Sequence, residues 1–253
     1  MEAPTSLSQV SQSVQTSQDT YDLGRAVEAW SRLVRRTLDI IISATILMVT
    51  APLMGVLALL IRLDSAGPAF FWQQRVGKNR RSRHADRRYT GLDRRKVDFG
   101  GQPFWFVKFR TMYIDARERF PELYRYEYTD EEVKTLHFKL KNDPRHTKLG
   151  RWLRRTSLDE LPNFWCSLTG AMTLVGPRPD LPEMTQYYRP EQLDIFSVKP
   201  GVTGYAQVSG RCSLKFRTTK DLDLRYVYER SLWGDMKVLL QTVVCVATGH
   251  GAF

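Results

Sequence analysis

Two adjacent carboxylates, Asp159 and Glu160, lie in residues 154–162 (RRTSLDELP), close behind Arg154 and Arg155. An acid pair beside fixed positive charge suits two chemistries. An ionised carboxylate can attack as a nucleophile, or the pair can help hold a hard cation. The spacing also has a purely structural reading. Ser157 and Glu160 fit the S-x-x-E capping box, Asp159 falls in the first turn, and the positive end of a helix dipole favours acids there. This predicts a helix opening at Ser157 with Leu158, Leu161, Trp165 and Leu168 on one face. A shorter helix with Leu149, Trp152 and Leu153, carrying Arg151, Arg154 and Arg155, precedes it.

Two other segments present cations. Residues 104–112 read FWFVKFRTM, strand-like in their aromatic and β-branched content. Alternation puts Phe104, Phe106, Lys108 and Arg110 on one face and Trp105, Val107 and Phe109 on the other. Such a strand offers Lys108 and Arg110 to a phosphate, or is a solvated edge where cations discourage aggregation. Residues 173–182 read TLVGPRPDLP. Pro177 and Pro179 make a stiff loop around one guanidinium, Arg178, which suits bidentate phosphate recognition or simply a turn between elements. Residues 199–211, KPGVTGYAQVSGR, lack the G-x-G-x-x-G spacing of a dinucleotide site.

These groups need a scaffold, and its most conspicuous part is apolar. Residues 40–61 are 22 in a row without a charge, enough to cross a bilayer. Pro52 sits at the middle, after Ala51, removing one helical hydrogen bond and crowding the Met48 carbonyl. Basic residues flank both ends, four in residues 20–39 and five in residues 62–81. A spanning helix carries its Lys and Arg excess on one side, so symmetric flanks suit a helix that enters, bends at Ala51–Pro52 and leaves on the same face. Asp39, at the segment's edge, is one turn from Arg35 and Arg36. Residues 236–248 form a second, weaker apolar stretch.

The chain has 253 residues, 42% hydrophobic, which excludes a wholly disordered or multi-span protein. Its net charge of +11 points to anionic partners. Residues 75–96 hold ten basic residues against two acidic ones, so +8 of that excess is local. Three widely spaced Cys argue against a disulfide framework, and four His show no zinc spacing with them. Residues 1–24, rich in Ser, Gln and Thr, read as a disordered tail. An amphipathic lead-in and membrane helix follow over 25–62, then a catalytic domain over 63–248 and a short tail over 249–253.

Taken in order, the proline-centred apolar segment, KFRTM, RRTSLDELPNFW, LVGPRP and KPGVTGYAQVSGR resemble the bacterial sugar transferase family, the monotopic phosphoglycosyl transferases. The resemblance covers about residues 30–245. It implies an α/β, mostly helical fold with a small sheet, amphipathic interfacial helices and a proline-broken re-entrant anchor. It places the protein on the bacterial inner membrane with its catalytic domain on the cytoplasmic face. It also implies transfer of a sugar 1-phosphate from a nucleotide-diphosphate sugar, a UDP-sugar, to polyprenyl (undecaprenyl) phosphate, the first membrane step of polysaccharide assembly. By the same resemblance Asp159 is the nucleophile, Glu160 helps position Mg2+ or activates the lipid phosphate, and the two are the candidate Mg2+ residues. The resemblance also implies that Lys108, Arg110, Arg154 and Arg178 balance the charge of the diphosphate and the leaving group, and that Pro177 and Pro179 shape the substrate loop around Arg178. The basic stretch 79–101 and the N-terminal tail depart from the family pattern, and the insertion is expected on anionic membrane lipids. Whether the protein forms a homo-oligomer is left open. Two other readings are a nucleic-acid-binding protein using residues 75–96, with Tyr89 and Phe99 for stacking, and an inactive membrane scaffold. The first leaves the apolar segment and the acid pair unused, so no nucleic-acid partner is expected.

Overall fold

The computed structural model describes residues 7–79, 100–137, 140, 143–210 and 214–248, with side chains from residue 25 onward. Two compact units are separated, Met1–Leu38 and Asp39–Phe253. The first contributes the N-terminal part of one long helix, and the second holds all other described elements.

Helix α1 (Leu7–Asp64) is 58 residues long. It starts inside the stretch expected as a tail, because residues 5–23 contain no Pro or Gly to stop a helix. Ala51 and Pro52 lie inside this helix. Proline costs the helix one backbone bond, and those on either side persist. Nearby, Thr50 Oγ1 donates to Ile46 O at 2.7 Å, a contact that bends helices more than it ends them. Among the described residues α1 is the one helix long and apolar enough to cross a membrane, and 11% of its most apolar window is buried. A soluble core helix would be mostly covered, so the exposure fits a membrane anchor.

Both ends of the apolar segment are fastened to other parts of the second unit, to which the segment itself belongs. At the start, Asp39 accepts hydrogen bonds from Thr173 Oγ1 (2.9 Å) and Leu174 N (2.8 Å). Ile42 packs against Leu174, Val175, Tyr226 and Val238. At the other end, Leu57 and Ile61 share a core with Ala69, Phe109 and Leu153. The middle does not pack: Met48 and Val49 are 72% and 71% exposed.

Strands β1 (Phe70–Val76) and β2 (Pro103–Phe109) pair antiparallel, with Phe71 opposite Lys108, Gln73 opposite Phe106 and Arg75 opposite Phe104. The aromatic, β-branched run thus forms the expected strand. Between them, Gly77 N donates to Gln102 O (2.9 Å) and Gln102 N to Lys78 O (3.3 Å), which closes the neck of the basic insertion. Residues 80–99, nearly all of that insertion, lie outside the described residues, as do residues 249–253. Strands β3 (Thr173–Val175) and β4 (Gly201–Thr203) form a second, parallel pair. A Cβ at Gly201 would stand 2.1 Å from Gly176 N, so this glycine allows the backbones to touch.

The remaining helices are α2 (Ala116–Arg119), α3 (Asp130–Thr135), α4 (Lys148–Thr156), α5 (Asn163–Thr169), α6 (Tyr205–Gly210), α7 (Phe216–Glu229) and α8 (Leu232–Thr248). The fold is mostly helical with a small amount of sheet, as expected, and α8 takes up the second apolar stretch.

Candidate active site

The acid pair is placed by a chain reversal. Helix α4 opens at Thr147, whose hydroxyl accepts from Gly150 N at 2.9 Å, and closes at Ser157. Ser157 adopts φ 58 and ψ 14, the one positive-φ non-glycine among the described residues. That left-handed conformation costs on the order of 1 kcal/mol and turns the chain back, so that Leu158–Glu160 form a single 3-10 turn. Helix α5 starts only after Pro162.

This corrects the capping-box expectation. Ser157 ends one helix where the spacing predicted that it opens another, and its side chain caps nothing. The reason is Pro162. A helix from Ser157 would need the Pro162 N–H, whereas proline at a helix start loses nothing. Helix-dipole stabilisation of Asp159 therefore drops out, and so does the single apolar face: Trp165 is 52% exposed. Leu158 and Leu161 instead pack on Leu57, Ile61 and Leu153. They hold the acid turn against the end of the apolar helix.

Asp159 is buried, and Glu160 is half-buried with its Oε1 2.9 Å from Arg178 Nη2. Lys108 lies in the field of both acids. Burial pushes its ammonium down to about 8, and Asp159 pulls the other way, with Arg75 and Arg154 adding repulsion and Glu160 further attraction. Lys108, Arg154 and Arg178 thus share one electrostatic neighbourhood with Asp159 and Glu160.

Arg110 does not join them. Its guanidinium turns away to the end of α1. Nε donates to Pro68 O (2.7 Å), Nη1 to Ser65 Oγ (2.8 Å) and Ala66 O (2.7 Å), and Nη2 to Ser65 O (2.7 Å) and Ile61 O (3.2 Å). The alternation behind the expectation holds within β2, but β2 ends at Phe109. Beyond it, the Arg110 N–H pairs with Ala69 O, and the neighbour there is the segment leaving α1. The helix's open C-terminal carbonyls attract the cation.

Arg75 takes the place that sequence reasoning gave to Arg110. It projects over the Phe106 ring, 5.4 Å from its centroid, and donates to Pro179 O at 3.3 Å. Burial lowers it to about 10, Arg178 acts in the same direction, and Asp180, Tyr126 and Glu160 oppose them. In the sequence Arg75 looks like the first member of a surface cluster. The β1–β2 register is what sets it on the same face as Lys108.

The loop carrying Arg178 is tied on all sides. Gly176 N donates to Thr203 O, Gly201 N to Pro177 O, and Val76 N to Asp180 O, at 2.8 to 2.9 Å. Beneath it, buried Lys220 sits 2.9 Å from both Asp180 and Asp223, and Tyr188 donates to Asp180 at 2.8 Å. Pro177 and Pro179 therefore frame a rigid loop, as read from the sequence. The Lys220 network had no signal in the sequence, because Asp180 lies 40 residues before Lys220.

Among the described residues no group of three or more His, Cys, Asp or Glu could hold a metal alone. Asp159 and Glu160 nevertheless suit Mg2+, which takes one or two carboxylates when substrate phosphates and water complete the octahedron. The site, then, offers an acid pair, four cations and a rigid loop at the foot of an apolar helix. Such a cluster of fixed cations suits a polyanionic ligand.

Comparison with known proteins agrees. The family model described as bacterial sugar transferase matches residues 30–249. The undecaprenyl-phosphate galactose phosphotransferase of Salmonella typhimurium is 36% identical over 223 residues, 88% of this chain and 42% of its own length. An uncharacterized sugar transferase of Haemophilus influenzae is 36% identical over 227 residues, 88% of this chain and 43% of its own length. The UDP-glucose:undecaprenyl-phosphate glucose-1-phosphate transferase of Caulobacter vibrioides is 34% identical over 231 residues, 87% of this chain and 72% of its own length. The chain thus spans less than half of several of these longer relatives. With the family model covering the anchor helix, the acid turn and the Arg178 loop alike, the chain belongs to the bacterial sugar transferase family.

Proposed function

We propose that the protein transfers a sugar 1-phosphate from a UDP-sugar to undecaprenyl phosphate, by way of a covalent phosphoryl-aspartate at Asp159. The observation that carries this reading is the buried Asp159 on a fixed turn in the field of Lys108, with Arg75 and Arg154 acting on the same lysine and Arg178 paired to the adjacent Glu160. An Asp159 oxygen attacks the β-phosphorus of the donor, the bond to the bridging oxygen breaks, and the nucleoside monophosphate leaves. An oxygen of the lipid phosphate then attacks the same phosphorus, frees Asp159, and yields a polyprenyl diphosphate sugar. Phosphoryl transfer of this kind depends on positioning and on charge neutralisation. Lys108, Arg75, Arg154 and Arg178 supply those here. Asp159 and Glu160 would hold Mg2+, whose contribution when bound is to neutralise charge on the diphosphate.

We further propose a re-entrant anchor, with the catalytic unit on the cytoplasmic face of the inner membrane. A straight helix across the 22 uncharged residues would rise about 33 Å. A span of that kind would put Asp39 and Ile61 on opposite sides of the bilayer. Yet Asp39 is bonded to Thr173 and Leu174, and Ile61 packs on Phe109 and Leu153, all within one unit. Exposed Met48 and Val49 between these contacts then form the apex that dips into lipid.

The test is incubation of the purified protein in nanodiscs with a panel of UDP-sugars, with and without undecaprenyl phosphate, scoring UMP release and labelled lipid. Asp159→Asn should abolish both; normal turnover by this variant would refute the nucleophile assignment.

A further inference from the structure

His146 is a buried histidine that the transfer reaction just described does not use. It stands on the segment leading into α4, two turns before Arg154. Its Nδ1 lies 3.0 Å from Thr111 O. A carbonyl only accepts, so Nδ1 carries the proton. Its Nε2 faces Arg154 Nη1 in a close contact. A guanidinium only donates, so Nε2 is the unprotonated acceptor. The two contacts fix one neutral tautomer.

We propose that His146 is a positioning residue that holds the Arg154 guanidinium toward the phosphate site through an uncharged acceptor, leaving the full positive charge of Arg154 available to substrate. This inference rests on the transferase reading above. The choice of acceptor is what matters physically. A carboxylate at this position would fix Arg154 equally well but would cancel its charge in a low-dielectric site. An aliphatic residue would leave the long side chain free to leave the site. A neutral imidazole orients without neutralising.

The charged groups around the ring agree with this role. From the loop before α4, Asp143 comes within 3.6 Å of Nε2, but it is already engaged by Arg145 through contacts of 2.6 to 3.1 Å. From α4 comes Arg154, and from β2 comes Lys108. Burial, then Arg154, push the ring down to about 4, so it stays neutral over the physiological range.

A double-mutant cycle in kcat/KM separates positioning from bulk stability. Arg154→Gln should lower donor kcat/KM by on the order of 10²-fold, the usual effect of losing one preorganised charge contact. His146→Leu should lower it by roughly 10- to 100-fold, as misplacement of a catalytic group does. If His146 acts through Arg154, adding His146→Leu to Arg154→Gln costs no more than Arg154→Gln alone; multiplying losses overturn the proposal. His146→Gln, which restores a neutral acceptor, should recover part of the rate, whereas His146→Glu should not. Nitrogen NMR of the ring gives a readout independent of turnover. A protonated Nδ1, and an Nε2 resonance that moves in Arg154→Gln, support the contact. A protonated Nε2, or an Nε2 resonance unmoved by Arg154→Gln, refutes it. Wild-type protein that turns over no UDP-sugar would sink the transferase reading, and the ring spectrum would still decide whether the contact exists.

Discussion

Arg110 gives the sharpest confrontation between what its motif suggests and where its side chain goes. All five of its N–H donors are engaged by oxygens of residues 61–68, and the residue is 6% exposed. Four acceptors are backbone carbonyls at the end of α1 or just beyond it, one of which, Ile61 O, also accepts from Ser65 N at 3.3 Å. Replacing Arg110 by Leu removes every donor at once. A charged hydrogen bond is worth about 1.5–3 kcal/mol, but five such bonds do not add, because relaxation and water recover part of the loss. Breaking a buried charged network costs about 3–5 kcal/mol in total. At 2–4 °C per kcal/mol for a domain of this size, Tm should fall by about 10 °C. Arg110→Lys should recover little, since one ammonium with three donors cannot span the same fork. The assay is thermal unfolding in detergent or nanodiscs, paired with donor KM and kcat measured well below the variant's Tm. The expected result is a lower Tm with donor KM changed by less than about 2-fold, because the guanidinium never reaches the donor. An Arg110→Lys protein with unchanged Tm and a tenfold higher donor KM would refute the structural role and return Arg110 to the phosphate site.

Three further outcomes follow from the geometry. Lys108 loses its proton as pH rises through about 8, so donor kcat/KM should decline on the alkaline side, and Lys108→Arg should remove that limb; a profile limited only on the acid side would contradict it. A Cβ at Gly150 would meet Thr111 O at 2.0 Å, whereas one at Gly55 meets nothing within 4 Å. Gly150→Ala should therefore cost about 1–3 kcal/mol or more, and Gly55→Ala should be neutral or slightly stabilising; equal melting of the two variants would count against the packing of α4 on residue 111. Deleting residues 80–98 should leave melting unchanged, since Gly77 and Gln102 already close the neck. It should weaken flotation with anionic liposomes in a salt-dependent way, by about 1 kcal/mol per cation at the surface, and identical partitioning at low and high salt would refute the lipid-contact role.

Much of the molecule is legible in one dimension because the responsible forces are local. The uncharged 22-residue run must be helical and shielded from water wherever it sits, and the aromatic, β-branched run before Arg110 must be extended. Prolines on either side of Arg178 stiffen their loop whatever surrounds it. Charged residues near Asp159 and Glu160 could likewise be named from motif order. What pairs across distance could not be. Arg75 joins Lys108 only through the β1–β2 register, Arg110 leaves the site because the end of α1 presents empty carbonyls, and Lys220 meets Asp180 only after α7 packs beneath the loop. Even the local rule at Ser157 failed for a reason of competition. A capping box and a helix dipole are each worth about 1 kcal/mol, too little to outweigh a proline that cannot donate and two leucines drawn to the foot of α1. The sequence by itself named the acid pair, the candidate cations and an apolar segment long enough to enter a membrane. Tertiary structure decided which cation stands near that pair, because a guanidinium goes to whichever acceptors folding leaves unsatisfied.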